Sequence, residues 1–198
     1  QWAHGDHSGC IRRWDSSGLL IDSIKTNAGK INRIYFSPHD KSILACGASG
    51  QSVIWNVCDT GNKFAYLDGH KGGVKSGAFS LSGDSVLTVG FSDNTARMWN
   101  LKGDSLGAFS DKNSTLARAA FIKKDSILLE FRDNPPALKD LKKQDFLPFA
   151  GGKAYGYDVK LRGNYILLIL KPKSADNNNN KSLIVRIYTK GGNYRGRF

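Results

Sequence analysis

Gly90-Phe91-Ser92-Asp93-Asn94-Thr95-Ala96-Arg97-Met98-Trp99-Asn100 is the stretch that decides how this chain folds. A turn rich in Gly and small polar residues runs into a short β-prone segment that ends in Trp followed by Asn. Such a turn suits a tight connection between antiparallel strands. Upstream, residues 74–79 and 85–89 alternate apolar with polar or small residues and are joined by Ser80-Leu81-Ser82-Gly83-Asp84. Downstream, Lys102-Gly103-Asp104 leads into a further short strand at residues 105–109. The pattern is strand, turn, strand, turn, strand, turn, strand, and no stretch matches an amphipathic helix comparably.

The same unit recurs. Ile11-Arg12-Arg13-Trp14-Asp15 and Ser52-Val53-Ile54-Trp55-Asn56 repeat the ending, and the three tryptophans are 41 and 44 positions apart. Each follows a Gly- and Ser-rich turn, Gly5-Asp6-His7-Ser8-Gly9 and Gly47-Ala48-Ser49-Gly50. Residues 31–36 and 42–46, joined by Ser37-Pro38-His39-Asp40-Lys41, supply the preceding strands of the second copy, and Ser17-Gly18 leads to residues 19–24. Evenly spaced short strands at a fixed period mark a repeat architecture in which each unit packs on its neighbours.

These residues resemble the WD-repeat β-propeller family. The third copy matches best, with Gly69-His70 opening it, Val74 and Phe79-Ser80 in its first strand, Gly83-Asp84 in the turn and Asp93 six positions before Trp99. The resemblance implies an all-β partial propeller of about four full blades plus one partial blade, each a four-stranded antiparallel sheet. Blade divisions are expected at residues 1–24, 25–68, 69–111, 112–150 and 151–198. It also implies that His70, Asp93 and Trp99 form a buried hydrogen-bonded network, with Trp55 and Trp14 in the corresponding places. Val89 stands where the network's serine is expected, so an incomplete network is predicted. Ser8 and Ser49 occupy the Asp position in the first two copies, which predicts blades there that are less rigid or that rely on apolar packing.

Beyond Trp99 the motif decays while the period persists. Leu138 to Phe146 overlays Met98 to Leu106, with Lys139 in the Trp place 40 positions on, and Val185 to Tyr194 repeats it with Ile187 in the Trp place 48 positions later. The excess is assigned to an insertion at residues 172–181, whose Asn177-Asn178-Asn179-Asn180 run predicts a solvated mobile loop. Propellers of the family close with roughly seven blades of about 40–45 residues. With Gln1 at its start and Met98 as its single methionine, the chain reads as part of a longer protein. The remaining blades are expected from the same parent chain or from a partner.

Net charge is +12, distributed as 10 Lys/Arg against 8 Asp/Glu in residues 1–100 and 19 against 9 in residues 101–198. The basic half offers Lys123, Lys124, Lys139, Lys142, Lys143, Lys171, Lys173, Arg186, Lys190, Arg195 and Arg197 as candidate polyanion contacts near successive turns. Nucleic acid or another acidic surface is therefore an alternative partner. The three cysteines, Cys10, Cys46 and Cys58, form no CxxC pair and point to a reducing intracellular or cytoplasmic compartment. His4, His7 and Cys10 fall at a spacing of three, but Gly5, Ser8 and Gly9 explain them as turn chemistry, and no metal is expected.

No membrane-spanning apolar run, Walker loop, HExxH or dinucleotide fingerprint occurs, so neither a catalytic residue nor a cofactor is expected. The expectation for function is a non-enzymatic scaffold or sensor that binds a protein partner. The Asn94 to Asp104 stretch also looks like sensor propellers that accompany NTPase or effector domains in bacterial multidomain signalling proteins.

Overall fold

Short alternating runs, each stopped by a turn containing Gly, Ser, Asp or Asn, make every segment fold back on the one before it. The computed structural model describes residues 1–58, 64–110, 114–132, 134, 136–142, 146–148, 156–162, 165–171, 184–189 and 194–197. From residue 146 onward, the described side chains are those of Ile166 and Arg195. The expected insertion at 172–181 lies outside the described residues.

Among the described residues every regular element is a β-strand, and the strands form five antiparallel sheets. The first contains β1 (Trp2–Gly5), β2 (Cys10–Trp14) and β3 (Leu20–Lys25). The second contains β4 (Ile31–Phe36), β5 (Ser42–Gly47), β6 (Ser52–Asn56) and β7 (Phe64–Leu67). The third is β8 (Val74–Phe79), β9 (Ser85–Gly90), β10 (Ala96–Asn100) and β11 (Ser105–Phe109). The fourth is β12 (Leu116–Lys123), β13 (Ser126–Phe131), β14 (Ala137–Asp140) and β15 (Phe146–Pro148). The fifth is β16 (Gly156–Arg162), β17 (Tyr165–Lys171), β18 (Ile184–Thr189) and β19 (Tyr194–Arg197). Strands lie side by side in chain order in every sheet. The architecture is the expected one, an all-β partial propeller of four four-stranded blades and a three-stranded one.

Register defines the Trp place in each sheet. Trp55 lies opposite Ile43, Trp99 opposite Val86 and Lys139 opposite Ile127, each the second residue of the preceding strand. In the fifth sheet the residue opposite Ile166, second in β17, is Tyr188. The pairing of the last two strands shifts just before this place, at Arg13/Trp14, Met98/Trp99 and Ile187/Tyr188. Tyr188 rather than Ile187 therefore holds the Trp place. Counting along the chain slips by one residue because no Trp marks the place in this sheet and register is fixed only by strand pairing.

The core lies between sheets. Trp55 packs with Ile11, Ile24, Ile31 and Ile43, joining the first two sheets, and Trp99 packs with Leu44, Cys46, Ile54 and Leu67, joining the second and third. Leu87, Val89 and Ala96 meet Leu116, Phe121, Ile127 and Leu129 between the third and fourth. The second and third sheets thus bury both faces, which is why β5 is buried throughout.

The first strands of the middle sheets are neighbours, with β8 lying beside β4 on one side and β12 on the other. Each carries an irregularity at its second residue, where pairing skips Asn32, Lys75 and Ala117. Two of these bulged residues reach the next sheet. Asn32 Nδ2 donates to the Val74 carbonyl at 3.1 Å, and the Lys75 ammonium donates to the Leu116 carbonyl.

Candidate functional site

Strand parity places Val86, Thr88 and Trp99 on one face of the third sheet and Leu87 and Val89 on the other. The consequence is a closed chain of hydrogen bonds. His70 Nδ1 lies 2.8 Å from Asp93 Oδ2, His70 Nε2 lies 2.8 Å from Thr88 Oγ1, and Trp99 Nε1 donates to the same hydroxyl oxygen at 2.8 Å. A neutral imidazole satisfies every group: its Nδ1–H donates to Asp93, and its Nε2 accepts from Thr88 O–H, whose oxygen accepts the indole N–H. The predicted gap at Val89 does not occur, because Thr88, one residue earlier, supplies the hydroxyl while Val89 packs into the core toward the fourth sheet.

Burial holds His70 below its ordinary pKa of 6.5, outweighing the pull of Asp93 in the other direction. Asp93 is raised by burial, but the bonds from His70, the Lys71 amide and the Thr95 amide together hold it below the usual carboxylate range. The side chains of His70 and Asp93 are 1% and 7% exposed, so the network is a brace inside the sheet and presents no reactive atom to solvent. Gly90 makes room for it, since a Cβ there would collide with both Asp93 and His70.

The other tryptophans lack this arrangement. In the second sheet Ala45 takes the place of Thr88, and the fully buried Trp55 Nε1 has no hydrogen-bond partner. Trp55 is held by apolar neighbours and by the Arg13 guanidinium, 5.9 Å from its ring centre. Trp14 is half-buried and stacks on Trp2 with ring centres 4.0 Å apart. Arg13 itself pairs with Asp22, Nη2 to Oδ2 at 2.7 Å.

The residue after the Trp place has a constant task. The side-chain oxygens of Asp15, Asn56, Asn100 and Asp140 each accept the backbone N–H two residues on, closing the turn that follows. The fourth sheet keeps this cap although Lys139 has replaced the Trp. His4 lies in β1, His7 in a turn and Cys10 at the start of β2; the turn is organised by Asp6, which accepts from the Ser8 and Cys10 amides.

The sequence-predicted basic residues are dispersed. Lys123 and Lys124 are exposed around the β12–β13 turn, Lys142 is bound to Asp125 at 2.9 Å on the same rim, and Lys139 is half-buried in β14. Lys171, Arg186 and Arg197 lie on β17, β18 and β19, and Arg195 is exposed on β19. Lys143, Lys173 and Lys190 lie outside the described residues.

A different group of cations converges. A cavity of about 800 Å³ runs along β4, β8 and β12, with Arg33, Lys75, Arg118 and Arg132 at the end where these strands begin. Phe36, Pro38 and Phe79 line the end where β4 and β8 finish. Sequence reading missed these cations because they lie on separate repeats, and Arg33 and Lys75 belong to the half of nearly balanced charge.

Residues 61–100 match the model of the WD domain, G-beta repeat, spanning β7 to β10. The chain is 32% identical over 101 residues to protein tipD of Dictyostelium discoideum, covering 50% of this chain and 16% of that protein. It is 29% identical over 101 residues to human WD repeat and SOCS box-containing protein 1, covering 50% of this chain and 24% of the relative. It is 24% identical over 139 residues to protein transport protein SEC31 of Yarrowia lipolytica, covering 66% and 11%. The matched stretch therefore spans a quarter or less of each relative's length. Among the described residues no helix is long and apolar enough to cross a membrane. The matched repeat, the relatives and the stacked four-stranded sheets support a WD-repeat family for this chain, with the fold of part of a WD-repeat β-propeller.

Proposed function

We propose that the chain is part of a non-enzymatic interaction scaffold that offers the face of its inner strands to a protein partner. The observation that carries this reading is the cavity along β4, β8 and β12, whose walls come from three consecutive sheets. The frame behind it repeats, with capped turns and inter-sheet hydrogen bonds, while the residues facing the cavity differ from sheet to sheet. A constant frame with varied exposed residues is suited to recognition. One relative's name supports an assembly role, polyadenylation factor subunit 2 of Candida albicans. No specific observation favours the sensor reading beside an NTPase or effector domain, or nucleic-acid binding by the dispersed lysines.

Ala117, half-buried at the bulge of β12, lines the cavity and bears no side-chain hydrogen bond. Peptides selected on the purified chain from a random display library should lose at least about tenfold in affinity for A117W, with the unfolding transition preserved. Selected peptides that bind A117W and the parent chain alike would place recognition elsewhere and refute this reading.

A further inference from the structure

Arg33 on β4, Lys75 on β8, Arg118 on β12 and Arg132 after β13 bring four cations to one end of the cavity. Among the described residues one carboxylate lies within ion-pair distance of them, Glu130, whose Oε1 is 4.0 Å from Arg118 Nε. Asp93, on the neighbouring turn, is already engaged by His70. Among the described residues Arg33 and Arg132 face no carboxylate within ion-pair distance, and both side chains are exposed. Lys75 is half-buried, is anchored on the Leu116 carbonyl and sits 6.0 Å from the Phe91 ring centre. Burial, and then the charge of Arg132, holds Lys75 below its ordinary pKa.

We infer that this end of the cavity is a binding site for a phosphate monoester dianion. Two charges and three acceptor oxygens match several donors arriving from separate strands better than a single carboxylate does, and guanidinium groups bind such oxygens in pairs. The site is a walled recess along three strands, shaped for a compact anionic group. Phe36, Pro38 and Phe79 at the far end would pack the apolar remainder of whatever carries it. The dianion can come from a small phosphate ester or from a phosphorylated side chain of a protein. The inference rests on the cavity being the binding face, as proposed above.

The test is calorimetric titration of the purified chain, at about physiological salt, with glycerol phosphate and with a degenerate phosphoserine peptide pool beside its dephosphorylated counterpart. Saturable binding of a phosphorylated probe is expected, weakened about tenfold or more in the double variant R33Q/R132Q and unchanged in K142Q, which lies outside the cavity. Preference for the phosphopeptide pool assigns the source to a protein, and equal binding of glycerol phosphate assigns it to a small ester. Absence of saturable binding, or binding equal in R33Q/R132Q, overturns the inference. If display-selected peptides without phosphate still depend on Ala117 in that event, the scaffold reading survives and the phosphate site alone fails.

Discussion

Thr88 carries two hydrogen bonds through one oxygen, one to His70 and one from Trp99. Replacing it with valine keeps the shape and leaves two buried polar groups without a partner, each costing about 1–3 kcal/mol. T88V should accordingly lower the midpoint of urea unfolding substantially, whereas V89I should leave the network's bonds in place. The second sheet offers the converse experiment. Ala45 occupies the position of Thr88, and A45S would bring a hydroxyl to the unpartnered Trp55 Nε1, for an expected gain of about 1 kcal/mol in the same measurement. Acid sensitivity follows from the lowered pKa of His70: the unfolded chain takes up a proton below its ordinary value of 6.5 while the folded network stays neutral. Stability should be complete above about that pH and fall as pH drops toward the folded pKa, with a weaker decline in a His70→Gln variant. Asp93 adds a second loss at lower pH, where its carboxylate, held below the usual range, is finally protonated.

At the scale of the strand and its turn, the position five residues before each Trp shows what the sequence made legible and what it hid. Gly9, Gly50 and Asn94 all have positive φ, at 85°, 97° and 52°. The Gly-rich turns were readable for that reason. Their second role was not, because it depends on the neighbouring sheet: a Cβ on Gly50 would approach the His70 carbonyl to 2.7 Å, and the Asn94 side chain instead bonds to Ser114 and Leu116 at 2.7 and 2.6 Å. Gly50→Ala should destabilise by about 1–2 kcal/mol from backbone conformation alone, and more from the contact, as read by thermal unfolding. Register was equally hidden, since it is fixed by pairing with the neighbouring strand, which is how Ile187 displaced Tyr188 and Val89 displaced Thr88 in the linear reading. The Asx cap, by contrast, is visible once aligned. N100A should lose the bonds from the Lys102 and Asp104 amides, at 2.9 Å each, costing about 1–2 kcal/mol and loosening the β10–β11 turn in amide exchange.

For the whole molecule, the repeat period and the three Trp-Asp or Trp-Asn endings were enough to give sheets of short antiparallel strands stacked in chain order. The cavity was not legible, since its cations come from repeats far apart in sequence and meet only because β4, β8 and β12 lie side by side. The central claim is that one frame recurs along the chain while the hydrogen-bonded brace is complete in the third sheet. Four indole protons report on it. Trp99 is buried and bonded, Trp55 buried and unbonded, Trp14 half-buried in a stack, and Trp2 is 49% exposed. Hydrogen exchange of these indole N–H groups, followed by two-dimensional nitrogen-15 NMR, should be slowest at Trp99, intermediate at Trp55 and Trp14 and fastest at Trp2, with the protection of Trp99 reduced in T88V. A Trp99 indole proton that exchanges as fast as that of Trp2, or is indifferent to T88V, would contradict it.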